Sequence, residues 1–334
     1  MDTSIIKLTD RVLRASREYL GQNGYTEIVT PRIVRASGAC ENINTLFEVS
    51  SDGDSQWFNG HKSYLAQTGQ LYLEALVPKL GNVYCVGPSF RAEPKVDGRH
   101  LTEFLMIEIE HPGGFDRLLA YIEGMLYHLA QVIANDQNAV DVYGLSHDTM
   151  ARLALCPPVF TKLTYDQAVD KLKSLGEKIE WGDDIAAAQE AMLVRVNENQ
   201  PLFITRFPDP MWRFGKEIEV EKFFNMLPDS ANPGRVLSAD LILPYGGEAV
   251  GSAARAHEAN ILRDRLQNSR MFKRLVERGG SVADFEWYIN QVETNGAVPH
   301  AGCGFGMARV VQWLKGEADI RQAVAFASNK ESLV

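Results

Sequence analysis

Cysteine is scarce. Cys40, Cys85, Cys156 and Cys303 are the only four in 334 residues, no two form a CxxC, and no HExxH occurs anywhere. This spacing excludes the common structural and catalytic zinc motifs, and dispersed cysteines suit a reducing compartment better than a disulfide-stapled secreted fold. Long apolar runs are missing as well. No stretch approaches 18 consecutive apolar residues, so no membrane-spanning helix is expected. The charged start MDTSIIKLTDRVLRASREYL lacks the apolar core of a secretion signal. Positive charge is in deficit, with 34 Lys and Arg against 43 Asp and Glu and a formal charge of −9. Phosphate contacts dominate nucleic-acid affinity, so this balance counts against a tRNA or DNA partner. The expectation is a soluble, cytoplasmic protein.

What is present is ordinary globular composition, 45% hydrophobic and 23% charged. Ile5, Leu8, Val12, Leu13, Tyr19 and Leu20 recur at helical spacing, and Gly21 to Gly24 close the pattern. YTEIVTPRIV reads as an edge or boundary strand because Pro31 interrupts it. Residues 62–77 open as a strand and turn helical near Gln70; two strands follow at 83–93 and 103–111, joined by the loop PKVDGRHLT. A long amphipathic helix is predicted over 115–135, helical patterns over 165–175 and 184–197, a hairpin across the turn PYGG, and a helix over 257–278. AGCGFG then runs into a last helix. Strands joined by hairpins and interleaved with helices favour an α+β fold, an antiparallel sheet flanked by helices. The stretch 136–235 reads as an insertion or side layer, since no linker flanks it.

Four constellations stand out. Side chains alternate across a strand, so Ser89, Arg91 and Glu93 share a face of the first strand and Phe104, Met106, Glu108 and Glu110 a face of the second, with Leu105, Ile107 and Ile109 opposite; paired as a hairpin, one sheet face carries Arg91, Glu93, a ring and two carboxylates. That face is either a solvated, salt-bridged surface or a site in which a guanidinium takes phosphate, a ring stacks on a base and carboxylates take an ammonium. Gly302, Gly304 and Gly306 precede Arg309 in a helix's first turn, which suits an anion or tight strand–helix packing; the spacing is neither a P-loop nor a dinucleotide fingerprint. Asp240 and Glu248 flank the PYGG turn, with Arg255 beyond, and could hold magnesium beside a polyphosphate or simply be solvated. Gln67, Gln70 and Tyr72 open the helix in QTGQLY, as a cap or as part of a pocket.

In order, these segments resemble the catalytic core of a class II aminoacyl-tRNA synthetase over about residues 10 to 325. NGYTEIVTPRI is similar to motif 1, FRAE followed by RHLTEF to motif 2, and GCGFGMAR to motif 3. YLAQTGQLYLEAL, VYCVGPSFRAE, RHLTEFLMIEIE and VPHAGCGFG resemble the asparaginyl branch, and Leu73 stands where the aspartyl branch usually has lysine. The resemblance implies ATP and Mg2+ as cofactors. Arg91 would contact the α-phosphate, Glu93 the adenine amino group, Phe104 and Arg309 opposite sides of the adenine with Arg309 on the γ-phosphate, and His100 the outer phosphates. Leu101 and Gly306 would complete the nucleotide site, and Asp240 and Glu248 would hold the metal. Glu41, Gln67, Gln70, Glu108, Ser252 and Arg255 would line the amino-acid pocket.

Departures from the family pattern shape the expected function. About 20 residues precede motif 1 where relatives carry an anticodon-binding domain, Ala308 replaces an acid, Asn42-Ile43 replaces two glycines, QTGQ replaces QSGQ, and Ala253-Ala254 replaces a polar pair. The expectation is therefore a single catalytic domain over 1–334 without an anticodon-binding domain. It would adenylate aspartate or a close analogue and pass the acyl group to ammonia or a small amine, similar to stand-alone archaeal-type asparagine synthetases. Such an enzyme would take a small amino acid and an amine and form a homodimer through residues 5–35; tRNA is not its expected partner, though not excluded, and no membrane is. Two alternatives stand beside it: a truncated asparaginyl-tRNA synthetase paralogue acylating tRNA or a protein, and a non-catalytic amino-acid sensor.

Overall fold

A computed structural model describes residues 3–35, 43–51, 57–296 and 298–333. Helix α1 (Thr3–Gln22) leads into short strands β1 (Thr26–Glu27) and β2 (Ile33–Val34), on either side of Pro31, and then β3 (Glu48–Val49) and β4 (Ser63–Leu65). Next come α2 (Gln70–Leu80), β5 (Val83–Phe90), β6 (Glu103–Pro112) and α3 (Phe115–Ala134). The middle of the chain supplies α4 (His147–Ala154), β7 (Thr161–Thr164), α5 (Tyr165–Ser174), α6 (Ala187–Val196) and β8 (Leu202–Thr205). Hairpin β9 (Ser238–Leu243) and β10 (Gly247–Ala254) follows, then α7 (Ala259–Asn268), α8 (Arg270–Glu277), α9 (Glu286–Asn295), β11 (His300–Gly306) and α10 (Met307–Lys315).

Eight strands form one sheet in the order β1-β5-β6-β11-β10-β9-β8-β7, and β2-β4-β3 form a smaller one. Neighbours in the large sheet are antiparallel except β1 with β5 and β7 with β8. Period-two alternation gives each strand two apolar faces. Phe203, Leu241 and Leu243 face a core built with α1, α3 and α10; Leu202, Ile204 and Ile242 face a second core built with α5 to α9. Helix α3 seats Leu118, Ile122, Met125, Leu126, Leu129 and Ile133 against the sheet at helical spacing.

Two expectations are corrected. The strand predicted to run to residue 93 ends at Phe90: Arg91 still donates its N–H to Thr102 at 2.9 Å, but Ala92 donates to Thr45 at 2.8 Å, which pulls the chain off the ladder. Arg91 and Glu93 therefore lie beyond the strand. The helix predicted over 257–278 is two helices, because Ser269 takes an extended conformation and its Oγ accepts the Phe272 N–H at 3.0 Å, capping α8. The glycine-rich run that leads into the last helix is itself the central strand β11, hydrogen-bonded on both sides.

Candidate active site

Directly paired residues of antiparallel strands project from the same face. Register pairs Glu108 with Gly304, Gly304 with Gly251, and Gly251 with Asp240. One row across β6, β11, β10 and β9 thus carries a carboxylate at each end and two glycines between. The missing side chains open a cavity of about 250 Å³ above the sheet. A Cβ on Gly304 would stand 2.6 Å from Met106 Cε, and one on Gly302 would stand 2.0 Å from Glu110 Cδ. The glycines make room for neighbouring side chains. Every candidate site residue among the described residues lines this cavity; Glu41 lies outside them, as does Asn42. Glu108 and Glu110 are buried, so the solvated-surface reading of that strand face is excluded.

At one end, the Arg91 guanidinium lies 5.5 Å from the centre of the Phe104 ring. Phe104 packs on an apolar patch of Leu101, Ala308 and Ile320, so the alanine at 308 is part of that wall. Asp97 ties the loop between β5 and β6: its Oδ1 accepts the Arg99 N–H at 2.8 Å and meets His100 Nδ1 at 2.8 Å. Arg309, in the first turn of α10, donates to the Glu248 carbonyl at 2.8 Å. Burial lowers the pKa of Arg309, and the Arg99 and Arg91 charges add to this against the pull of Glu248 and Glu190. Asp240 Oδ2 lies 2.6 Å from Lys222 Nζ, a part-buried ion pair, with Asp240 in the cavity lining.

At the other end, hydrogen bonds fix each polar group. Glu108 accepts the hydroxyl of Thr68 and the Gly69 N–H, the latter at 2.7 Å. Gln67 Nε2 donates to Thr45 Oγ1 at 2.9 Å, and Ser252 donates to the Ala239 carbonyl at 2.7 Å. Beneath them is a buried ionic network. Arg255 donates through Nε and Nη2 to Glu110 Oε1 at 3.1 and 2.7 Å and lies 3.8 Å from Glu74 Oε1. Glu74 also accepts from Gln70 at 2.7 Å, Asn225 at 2.6 Å and Tyr288 at 2.5 Å, and meets His300 Nε2 at 3.2 Å. Burial pushes Glu110 up to about 7, with Arg255 opposing and Glu74 reinforcing. Burial works against the charged form of Glu74 too, yet the His300 hydrogen bond and the Arg255 charge hold its pKa below the usual value. Burial likewise opposes a charged His300, and Glu74 overcomes this and raises it.

Glu74, His300, Lys222, Arg99 and Glu190 were not among the candidates, and Glu110, read on the same strand face as Glu108, was given no place in the amino-acid pocket. Two had a readable signal: Glu110 shares the parity of Glu108 on β6, and Glu74 lies one helical turn after Gln70. Lys222 and Glu190 sit where no local pattern marks them.

A glycine-floored cavity on an antiparallel sheet, with one arginine after β5 and another opening α10, defines a class II synthetase-type catalytic core. The chain belongs to the family "tRNA synthetases class II (D, K and N)", which matches residues 2–330. It is 35% identical over 325 residues to an asparagine–tRNA ligase of Desulforamulus reducens, covering 97% of this chain and 68% of that protein. A second, from Pelotomaculum thermopropionicum, is 35% identical over 329 residues, with 97% and 68% covered. The crystal structure of asparaginyl-tRNA synthetase from Pyrococcus horikoshii complexed with asparaginyl-adenylate superposes with a TM-score of 0.83 at 30% identity, over 99% of this chain and 70% of that one. The resemblance to an asparaginyl-type core therefore holds, and membership makes the chain an ATP-dependent, adenylate-forming ligase.

These findings overturn two expectations. An aspartate-activating amide ligase similar to asparagine synthetases is not what the relatives are: they are asparagine–tRNA ligases matched over nearly the whole chain. The expectation that tRNA is not the partner falls with it. It rested on the missing anticodon-binding segment and on net charge, which sums the whole surface and says nothing of a local phosphate-binding patch.

Proposed function

We propose that this protein activates asparagine with ATP and transfers the asparaginyl group to tRNA. The substrate α-carboxylate attacks the α-phosphorus, the bond to the β-phosphate oxygen breaks, and pyrophosphate leaves; a tRNA terminal hydroxyl then attacks the acyl carbon and AMP departs. Arg91, Glu93, His100, Leu101, Phe104, Gly306 and Arg309 would hold the nucleotide, and Gln67, Gln70, Glu108, Ser252 and Arg255 the amino acid. Catalysis rests on positioning and charge neutralisation, with no covalent enzyme intermediate.

The buried network carries the choice of asparagine. Arg255, the guanidinium at the amino-acid end, is already engaged by Glu110, and His300 by Glu74. Leu73, where a lysine would add charge, is fully buried and apolar in the cavity wall. An aspartate side chain would arrive as a further carboxylate beside Glu74, Glu108 and Glu110, with no uncommitted cation among the described residues there, which is costly in a desolvated site. A carboxamide brings donors instead, and Glu110 Oε2 has no hydrogen-bond partner among the described residues.

Asp240 and Glu248 are hard oxygen donors at the phosphate end of the cavity, a set suited to magnesium, which sits on one or two carboxylates plus phosphate oxygens and water. Those two residues would hold it, and the ion would neutralise polyphosphate charge. A second copy of the chain would pack on the motif 1 region, where Val29 is 97% exposed and Ile33 is 49% exposed. The catalytic unit is taken as one domain, with residues 136–235 lending β7 and β8 to its sheet.

Labelled asparagine, ATP, magnesium and total tRNA from the source cells test the transfer. Acid-precipitable label that ribonuclease removes is expected; adenylate formation with no label on tRNA would overturn the transfer step.

A further inference from the structure

Glu110 and Glu74 face Arg255 and His300, whereas Glu108 has no cation partner among the described residues. The ammonium of an incoming amino acid is therefore matched to Glu108, which is buried in the cavity wall. Three donors hold its carboxylate: Thr68 gives its hydroxyl to Oε1, Gly69 gives its N–H to Oε2 at 2.7 Å, and the Cys85 thiol reaches Oε2 at 3.6 Å. A carboxylate offers about four lone-pair sites, so about one is left for a substrate N–H. Cys85 lies directly opposite Glu108 in the register of β5 with β6 and is 1% exposed. Beside it stands Thr30, 5% exposed, whose Oγ1 has no hydrogen-bond partner among the described residues. All three groups converge on Gly69: a Cβ there would stand 2.9 Å from Cys85 Sγ, 3.0 Å from Thr30 Oγ1 and 3.3 Å from Glu108 Oε2. Burial and the Glu108 charge push the Cys85 thiol up to about 12, against the Arg32 charge and the Thr30 hydroxyl, so the sulfur keeps its proton and can donate it.

We propose that Cys85 is a positioning residue of the amino-acid site: its S–H donates to Glu108 Oε2 and fixes the carboxylate so that its remaining lone pair meets the substrate ammonium, with the Thr30 hydroxyl backing the sulfur. The inference rests on the amino-acid activation reading above. No covalent step involves the thiol, which is buried and protonated, the opposite of what a nucleophilic cysteine needs. Glu108 lines the cavity and Cys85 stands behind it, so the thiol acts only through the carboxylate. Its effect is confined to the ammonium end of the substrate and leaves the nucleotide and the carboxamide alone.

ATP–pyrophosphate exchange by the whole protein tests this, with succinamate, which is asparagine without its α-amino group, as a competing ligand. Cys85→Ala is expected to raise KM for asparagine about fivefold, the size of one ordinary hydrogen bond, with kcat, KM for ATP and the succinamate inhibition constant each within about twofold. Cys85→Ser keeps a donor and is expected to recover most of the loss. Thr30→Val keeps the shape without the hydroxyl and is expected to raise KM for asparagine about threefold with the same split; it leaves the core volume intact, so it decides if Cys85→Ala fails to fold. Equal weakening of asparagine and succinamate, or no recovery in Cys85→Ser, would mark general distortion of the pocket and overturn the inference. KM for asparagine unmoved in Cys85→Ala would overturn it as well. Failure of the unaltered protein to exchange with asparagine would instead sink the activation reading.

Discussion

Glu110 is 1% exposed; Oε1 takes two N–H groups of Arg255, and Oε2 takes none among the described residues. A buried acceptor left without a donor costs about 1–3 kcal/mol, and a substrate carboxamide in the cavity would remove that cost. Glu110→Gln should therefore relax the choice between asparagine and aspartate by about tenfold in kcat/KM for pyrophosphate exchange; discrimination unchanged in this variant would remove Glu110 from the specificity argument. At the nucleotide end, Arg309→Ala should lower exchange by at least about a hundredfold, as removal of one preorganised charge contact does. Exchange within threefold of the unaltered protein would remove Arg309 from the phosphate site. Charge-bearing residues in short motifs were legible because their spacing is local. Lys222 and Glu190 were not, because each meets its partner across the fold: Lys222 pairs with Asp240, and Glu190 with Arg99.

Strand β11 shows how an element builds the cavity. Its glycines are set by what stands opposite: Gly302 pairs with Glu110 and Ala253, and Gly304 with Glu108 and Gly251. Gly302→Ala would drive a methyl into Glu110, whose partner Arg255 is buried as well. Overpacking of this kind costs about 1–3 kcal/mol, so a lower denaturation midpoint with loss of adenylation is expected; a variant of unchanged stability and activity would contradict the packing described. Alternation, helical spacing and the PYGG turn were enough to place β6, α3 and the β9–β10 hairpin. They did not reveal that AGCGFG is a strand, because glycine carries no alternation to read, nor that Ser269 splits a helix, because α7 and α8 continue one amphipathic pattern across it. Replacing Ser269 by Ala should cost about 1 kcal/mol as the α8 cap is lost, read from the same denaturation curves.

At the scale of the whole molecule, the sheet separates two cores, and buried titratable groups link its stability to pH. His111 is fully buried, and burial pushes its pKa down to about 4 from 6.5. The folded state then keeps it neutral where the unfolded chain takes a proton. Unfolded molecules bind more protons between those values, so stability is full above about pH 6.5 and falls as pH drops toward 4, by about 3 kcal/mol from this group. Glu110 acts with the opposite sign: its raised pKa means stability is lost as pH rises from about 4.5 toward 7. Comparing denaturant midpoints of the unaltered protein and His111→Gln at pH 7 and pH 4.5 isolates the histidine; the variant should lose less on acidification, and an equal loss would contradict its neutral burial. Net charge misled at this scale because −9 describes an average over the surface, whereas the cavity concentrates Arg91, Arg99 and Arg309 at one end. ATP–pyrophosphate exchange against asparagine and aspartate tests the central claim most directly. Exchange with asparagine at least about a hundredfold more efficient than with aspartate is expected from a pocket whose cations are already engaged. Equal exchange with both, or exchange with aspartate alone, would contradict it.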